Sequence, residues 1–162
     1  MSLWFVLLAV VSAMAYGFLA GVFLAFSDFI MRSLAQVSNG GGLEAMQAIN
    51  REVFRTVFIV LFIGMAPLSV VLTVHELFWD DGPAALMIAA AGLVYLLGCF
   101  GVTVVGNVPL NNKLDRMEMG REAALAFWRD EYVPRWTAWN TVRTCACAIS
   151  ATLVILGLAW PL

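Results

Sequence analysis

Four apolar runs, at roughly 3–30, 55–78, 84–106 and 137–160, restrict this 162-residue chain more than any motif in it. Each is about as long as the ~20 residues needed to cross the hydrocarbon of a bilayer. Inside lipid the backbone must satisfy its own polar groups, so runs of this length fold as helices. The composition agrees: 62% of residues are hydrophobic and 12% charged, with a mean hydropathy of +0.90, far from the soluble globular average. With room for one domain over residues 1–162, the expected fold is all-α, an antiparallel bundle of four transmembrane helices. The first run could be taken for a cleaved leader, because Ala13-Met14-Ala15 looks like a small-residue cleavage site. Met1-Ser2-Leu3-Trp4 supplies no basic n-region, however, and the run continues through Phe26, too long for a leader core, so it is expected to remain as an anchor.

Charge sets the expected orientation. Six of the nine Lys and Arg residues, Lys113, Arg116, Arg121, Arg129, Arg135 and Arg143, fall between Asn107 and Arg143. The others, Arg32, Arg51 and Arg55, follow the first run, whereas the Leu77–Pro83 connection has Asp80 and Asp81 and no base. Basic loops stay in the cytoplasm, which predicts both termini and the acidic hairpin outside (N-out, C-out) in a bacterial inner membrane. A net charge of −2 argues against a nucleic-acid partner; the arginine cluster reads as topogenic and lipid-headgroup charge, with membrane lipid as its partner.

Neither basic connection is a plain loop. Ser38-Asn39-Gly40-Gly41-Gly42 breaks the first helix, and Leu43, Met46, Asn50, Val53 and Val57 then recur at helical spacing. A second helix is therefore expected to begin near Leu43 and run into the second span. Gly106-Asn107-Val108-Pro109 is expected to end the third span. Beyond it Leu114, Met117, Leu125 and Trp128 form an apolar stripe opposite Arg116, Glu118, Glu122 and Arg129, as in a short amphipathic cytoplasmic helix. Pro134 then marks the start of the fourth span. Within the spans, Gly17-xxx-Gly21 and the glycines 92, 98, 101 and 106 predict close helix approach, and Pro67 predicts a kink.

The polar residues nearest the hydrocarbon gather at one end: Asp28 after span one, Asn50 before span two, Asn107, Asn111 and Asn112 after span three, and Trp136, Trp139, Asn140 and Arg143 opening span four. Arg143 is the sharpest. An unpaired guanidinium at that depth costs at least ~2.5 kcal/mol, so it either snorkels to the headgroups or turns inward to a partner, Asp28 first and Glu52 next. Asparagines can cap helix ends or bond between helices, but five at one end exceed what a cap requires, so glue and ligand contact both stand. Trp4, Trp79 and Trp160 suit an interface belt; Trp128, Trp136 and Trp139 suit either a belt or flat walls for an aromatic ligand. His75, the single histidine, sits at the opposite end, roughly 30 Å along its helix at 1.5 Å per residue. One histidine excludes a bis-histidine haem within the chain. Cys99, Cys145 and Cys147 read as packing residues, and no metal and no cofactor are expected.

Four segments together resemble a known family: Phe26-Ser27-Asp28-Phe29-Ile30-Met31, Glu44-Ala45-Met46-Gln47-Ala48-Ile49-Asn50-Arg51, Asn107-Val108-Pro109-Leu110-Asn111-Asn112-Lys113-Leu114, and Trp136-Thr137-Ala138-Trp139-Asn140-Thr141-Val142-Arg143. They resemble the anthrone oxygenase-like integral membrane family over nearly the whole chain. The resemblance implies a small four-span protein that oxidises anthrones to anthraquinones with O₂ and without metal or flavin. Such chemistry needs a dry apolar slot, a base, and donors for a phenolate-like oxygen. Chemistry and position, rather than any role carried over from the family, then assign Asp28 as base with Arg143 and Asn140 as catalytic donors. Asn50, Asn107, Asn111, Asn112, Trp136 and Trp139 would bind a small hydrophobic aromatic substrate. The competing expectation is a non-catalytic module: an accessory or scaffold subunit of a larger membrane complex, a homo-oligomer, or a lipid-binding protein. Transport fits less well, because the span centres carry only small hydroxyls such as Ser69 and Thr103.

Overall fold

The computed structural model describes residues 2–38, 40–118 and 122–160; Asn39 of the glycine break and Arg121 of the basic set lie outside the described residues. Every regular element among the described residues is helical. Four helices are long and apolar enough to span a membrane: α1 (Leu3–Gln36), α3 (Val57–Trp79), α4 (Pro83–Asp115) and α5 (Glu122–Ala159). A shorter amphipathic helix, α2 (Gly41–Glu52), precedes α3. The chain therefore folds as an antiparallel bundle with two ends. The terminal end carries Ser2, Trp160 and the Asp80–Asp81 hairpin; the basic end carries α2 and the connection between α4 and α5.

Packing runs around the bundle in the order α1, α5, α4, α3, with a sparser contact closing α3 onto α1. α1 turns Phe5, Ala9, Ser12, Tyr16, Leu19 and Phe23 into the bundle, one residue every three or four, and Phe5, Tyr16 and Phe23 meet His75, Ser69 and Phe58 of α3. Gly17 and Gly21 fall on the opposite side, with open space where a side chain would stand, so the expected close approach there does not occur. Gly92, Gly98 and Gly106 of α4 do sit against neighbouring helices, whereas Gly101 meets only the Leu96 carbonyl of its own helix. A β-carbon on Gly92 would collide with the Thr73 hydroxyl and the Ser69 carbonyl of α3, which brings those two backbones together.

Two expected helix boundaries are overrun, and for one reason. α1 contains a π-turn at Phe26–Ile30, α4 contains two at Leu96–Gly101 and Thr103–Asn107, and α5 contains one at Trp128–Tyr132. A π-turn widens the backbone and shifts the hydrogen-bond ladder by one residue. Pro109 and Pro134 each lie two residues past such a turn, where the missing N–H and the ring are accommodated without breaking the helix. The third span thus runs on to Asp115 instead of ending at 106. The short helix before span four, Glu122–Phe127, joins that span through its π-turn instead of stopping at Pro134. Pro67 likewise lies inside the unbroken α3.

The second helix starts where expected but does not run into α3. Thr56 is extended, with its hydroxyl on the Val53 carbonyl at 2.7 Å, and separates the two. This frees α2 to fold across the basic end. Leu43 and Met46 join Met31, Leu110, Leu114, Phe127, Trp128 and Tyr132 in a second buried cluster above the main one. Gln47 fixes the lid by donating its amide N–H groups to the Leu114 and Met117 carbonyls, at 2.8 and 3.2 Å, so it caps the orphaned end of α4. Arg51–Asp115 and Lys113–Glu131 pairs, at 2.7 and 3.1 Å, stitch α2 to α4 and α4 to α5 on the surface.

Candidate functional site

Arg143 turns inward. Its side chain is buried at the junction of α1, α4 and α5, with 6% of its surface exposed. One terminal nitrogen, Nη2, donates to Asn140 Oδ1 at 2.6 Å, and Nη1 reaches Thr103 Oγ1 at 3.3 Å. The guanidinium lies over the Phe23 ring at 4.3 Å and near that of Trp136 at 5.4 Å, which is how an arginine is held in an apolar bundle without a counter-ion. Neither expected carboxylate reaches it. Asp28 is exposed on α1 and forms no ion pair among the described residues, and Glu52 pairs with Arg55 at 3.4 Å. The reason lies in the π-turn: Phe26–Ile30 presents Ser27 to α5 and leaves the next residue facing outward. Arg143 Nε is enclosed and has no partner.

Asn140 is the hub. Completely buried, it accepts from Arg143 and donates to the Phe23 carbonyl at 2.6 Å and to Ser27 Oγ at 2.7 Å. A second set sits one layer nearer the basic end. Asn111 Oδ1 accepts from the Tyr132 hydroxyl and from Trp136 Nε1, both at 2.8 Å, and Asn50 donates to the Tyr132 hydroxyl at 3.4 Å. Tyr132 stacks between Trp128 and Trp136, with ring centres 5.3 and 6.3 Å apart. Asn107 is buried and donates to the Trp136 carbonyl at 3.2 Å; its Oδ1 has no partner.

The structure thus brings Arg143, Asn140, Asn107, Asn111, Asn50 and Trp136 together. Trp139 lies at the rim, 37% exposed, its ring against the backbone at Gly106. Asn112 and Asp28 face outward. Phe23, Ser27, Thr103 and Tyr132 belong to the cluster but were not singled out from the sequence. For Tyr132 a signal existed: Trp128, Tyr132 and Trp136 recur every four residues, the spacing of one helix face. For Ser27 and Thr103 none did, since their place depends on the π-turns.

Two cavities flank rather than contain this cluster. One, about 680 Å³, is at the terminal end against Trp4, His75 and Trp79. The other, about 420 Å³, is a groove between α1 and α5 that includes Ser27 and Thr141. At the terminal end His75 stacks on Phe5 at 3.9 Å and contacts the Glu76 carboxylate at 3.2 Å, far from Arg143.

Fold and site together define an all-helical integral membrane protein with a buried, hydrogen-bonded arginine between its helices. Residues 52–153, more than half of the chain, match the anthrone oxygenase family, and the chain belongs to that family. The match contains Asn107, Asn111, Trp136, Asn140 and Arg143, while Phe23 and Ser27 lie before it. No curated protein and no solved structure matches the chain.

Proposed function

We propose that the protein is a cofactor-independent oxygenase of a planar, hydrophobic, phenolic substrate of the anthrone type. One observation carries the reading: a buried guanidinium that forms no ion pair with a carboxylate among the described residues. Such a charge in a low-dielectric site favours an anion and lowers the pKa of an acid placed near it. An anthrone is such an acid, since loss of a proton from its methylene carbon gives an electron-rich, phenolate-like anion. That anion reduces O₂ and combines with it. The resulting peroxide takes up a proton and loses water as the second C–H proton leaves, so one anthrone and one O₂ give one anthraquinone and one water. Family membership supports this choice of substrate class. Asp28 faces outward, and the reading gives it no contact with the substrate.

A second reading is favoured by a separate observation: Arg143, Asn140, Asn111 and Tyr132 bond to one another or to their neighbours, and neither cavity is lined by Arg143 or Asn107. On that reading the cluster is a structural lock in a scaffold subunit or an oligomer. Purified protein in nanodiscs, given emodin anthrone in air, separates the two. The oxygenase consumes O₂ faster than autoxidation, and Arg143→Ala lowers that excess at least about tenfold, a loss of roughly 1.4 kcal/mol or more of transition-state stabilisation. Uptake equal to autoxidation, with Arg143→Ala altering only stability, leaves the scaffold. The loop charges support both termini lying outside a bacterial inner membrane.

A further inference from the structure

The groove between α1 and α5 opens sideways, and its walls are Met31, Ala35, Val133 and Pro134. At about 420 Å³ it falls within the roughly 300–1,000 Å³ range of small-molecule sites. A lipid tail would fill such a space equally well, but the floor is not made for one. Ser27, Thr137 and Thr141 place three hydroxyls there, and Thr137 Oγ1 is enclosed without a partner. Arg32, also lining the groove, is exposed and forms no ion pair among the described residues.

The hydrogen-bond directions settle what Ser27 offers. Arg143 can only donate, so Asn140 must turn its oxygen to Arg143 and its NH₂ to α1. Ser27 Oγ accepts from that NH₂ at 2.7 Å, which leaves its own proton to be given away. Thr141 Oγ1 lies 3.0 Å from Ser27 Oγ and 2.9 Å from the Thr137 carbonyl; its one proton goes to one of these two oxygens, and neither bond uses the Ser27 proton. A line of donors therefore runs from the buried cation through Asn140 to a hydroxyl at the groove, every member pointing outward. Each bond in such a line polarises the next.

We propose that this groove seats the aromatic ligand, with its phenolic or carbonyl oxygen accepting the proton of the Ser27 hydroxyl. This rests on the oxygenase reading only for the ligand class. Ser27 touches the ligand; Asn140 and Arg143 are positioning residues that act through it. A ligand enters from the lipid, where an anthrone partitions, without the helices having to part around Arg143.

The test uses the full chain in nanodiscs and a diazirine-bearing hydroxyanthraquinone, whose visible band reports ionisation of its phenol. Photolysis is expected to label residues 26–36 and 133–141, and excess unlabelled hydroxyanthraquinone is expected to suppress the label. Ala138→Trp, a lipid-facing change that fills the groove, lowers labelling about tenfold or more, equivalent to ~1.4 kcal/mol. Bound ligand ionises at lower pH than free ligand. Ser27→Ala reverses that shift by about one pH unit, and Ser27→Thr, which keeps the hydroxyl, retains it. A purely structural serine would leave the ionisation unmoved. Label at Trp4 and His75, or label that excess ligand does not displace, overturns the seat. So does anthrone turnover that Ala138→Trp leaves intact, and in that case the oxygenase reading survives. Competed label in the groove without O₂ uptake above autoxidation keeps the seat and removes the oxygenase.

Discussion

At the scale of single residues, Asn140 decides what the buried arginine can do. Asparagine offers an oxygen to Arg143 and two protons to α1, and no other side chain of its size does both without adding charge. Asn140→Asp supplies a counter-ion 2.6 Å from the guanidinium but cannot donate to the Phe23 carbonyl. We expect the variant to fold with reduced stability and to lose turnover about as fully as Arg143→Ala, because the guanidinium is now neutralised from within; O₂ uptake and thermal melting measured together check this. A scaffold predicts no effect on uptake. Gly106→Ala probes the other side of the site. Its methyl group would lie within 3 Å of the Trp139 ring, an overpacking that costs about 1–3 kcal/mol. Since Trp139 borders lipid, the ring can swing outward and the cost should fall at the low end, read as a drop of about 2–4 °C in Tm.

At the scale of elements, the four spans and the start of α2 were legible because hydropathy, glycine and charge each act locally. What was not legible were the π-turns: those at Phe26–Ile30, Thr103–Asn107 and Trp128–Tyr132 lie nearer the basic end and carry Ser27, Thr103, Asn107 and Tyr132 of the polar cluster, while the one at Leu96–Gly101 lies mid-helix in α4. A sequence reader with only the α period therefore ends helices at Pro109 and Pro134 and pairs Arg143 with Asp28. The inward turn of Arg143 was one of two readings the residues allowed, and the aromatic faces of Phe23 and Trp136, from two different helices, explain why no carboxylate is required. α2 has one buried polar anchor, Gln47, beside the exposed Arg51–Asp115 pair and the Asn50–Tyr132 bond. Gln47→Ala removes both bonds to the end of α4; the Leu114 carbonyl keeps the Met117 N–H and the Met117 carbonyl loses its Gln47 donor, at a cost of about 1–3 kcal/mol. Amide exchange should quicken in residues 41–52 and 108–117 while α3 stays protected; uniform loss of protection would show that α2 is not a separable lid.

At the scale of the whole molecule, the basic end is where charge, lid and polar cluster coincide, so orientation determines which compartment the cluster borders. Reporter domains fused at either end should both report the outer side of the membrane; two fusions reporting the cytoplasm would reverse the proposed topology, and a split result would overturn the four-span count. The helix lengths add a consequence. α3, with 23 residues, spans about 34 Å, close to the ~30 Å of hydrocarbon, whereas α1, α4 and α5 have 34, 33 and 38 residues. Both connections to α3 are short, and the surplus of its three neighbours emerges beyond Val57 only. α3 is thus the gauge that matches this protein to a bilayer of given thickness. A thicker membrane would submerge the anchoring ends of α3, while its longer companions would still reach water.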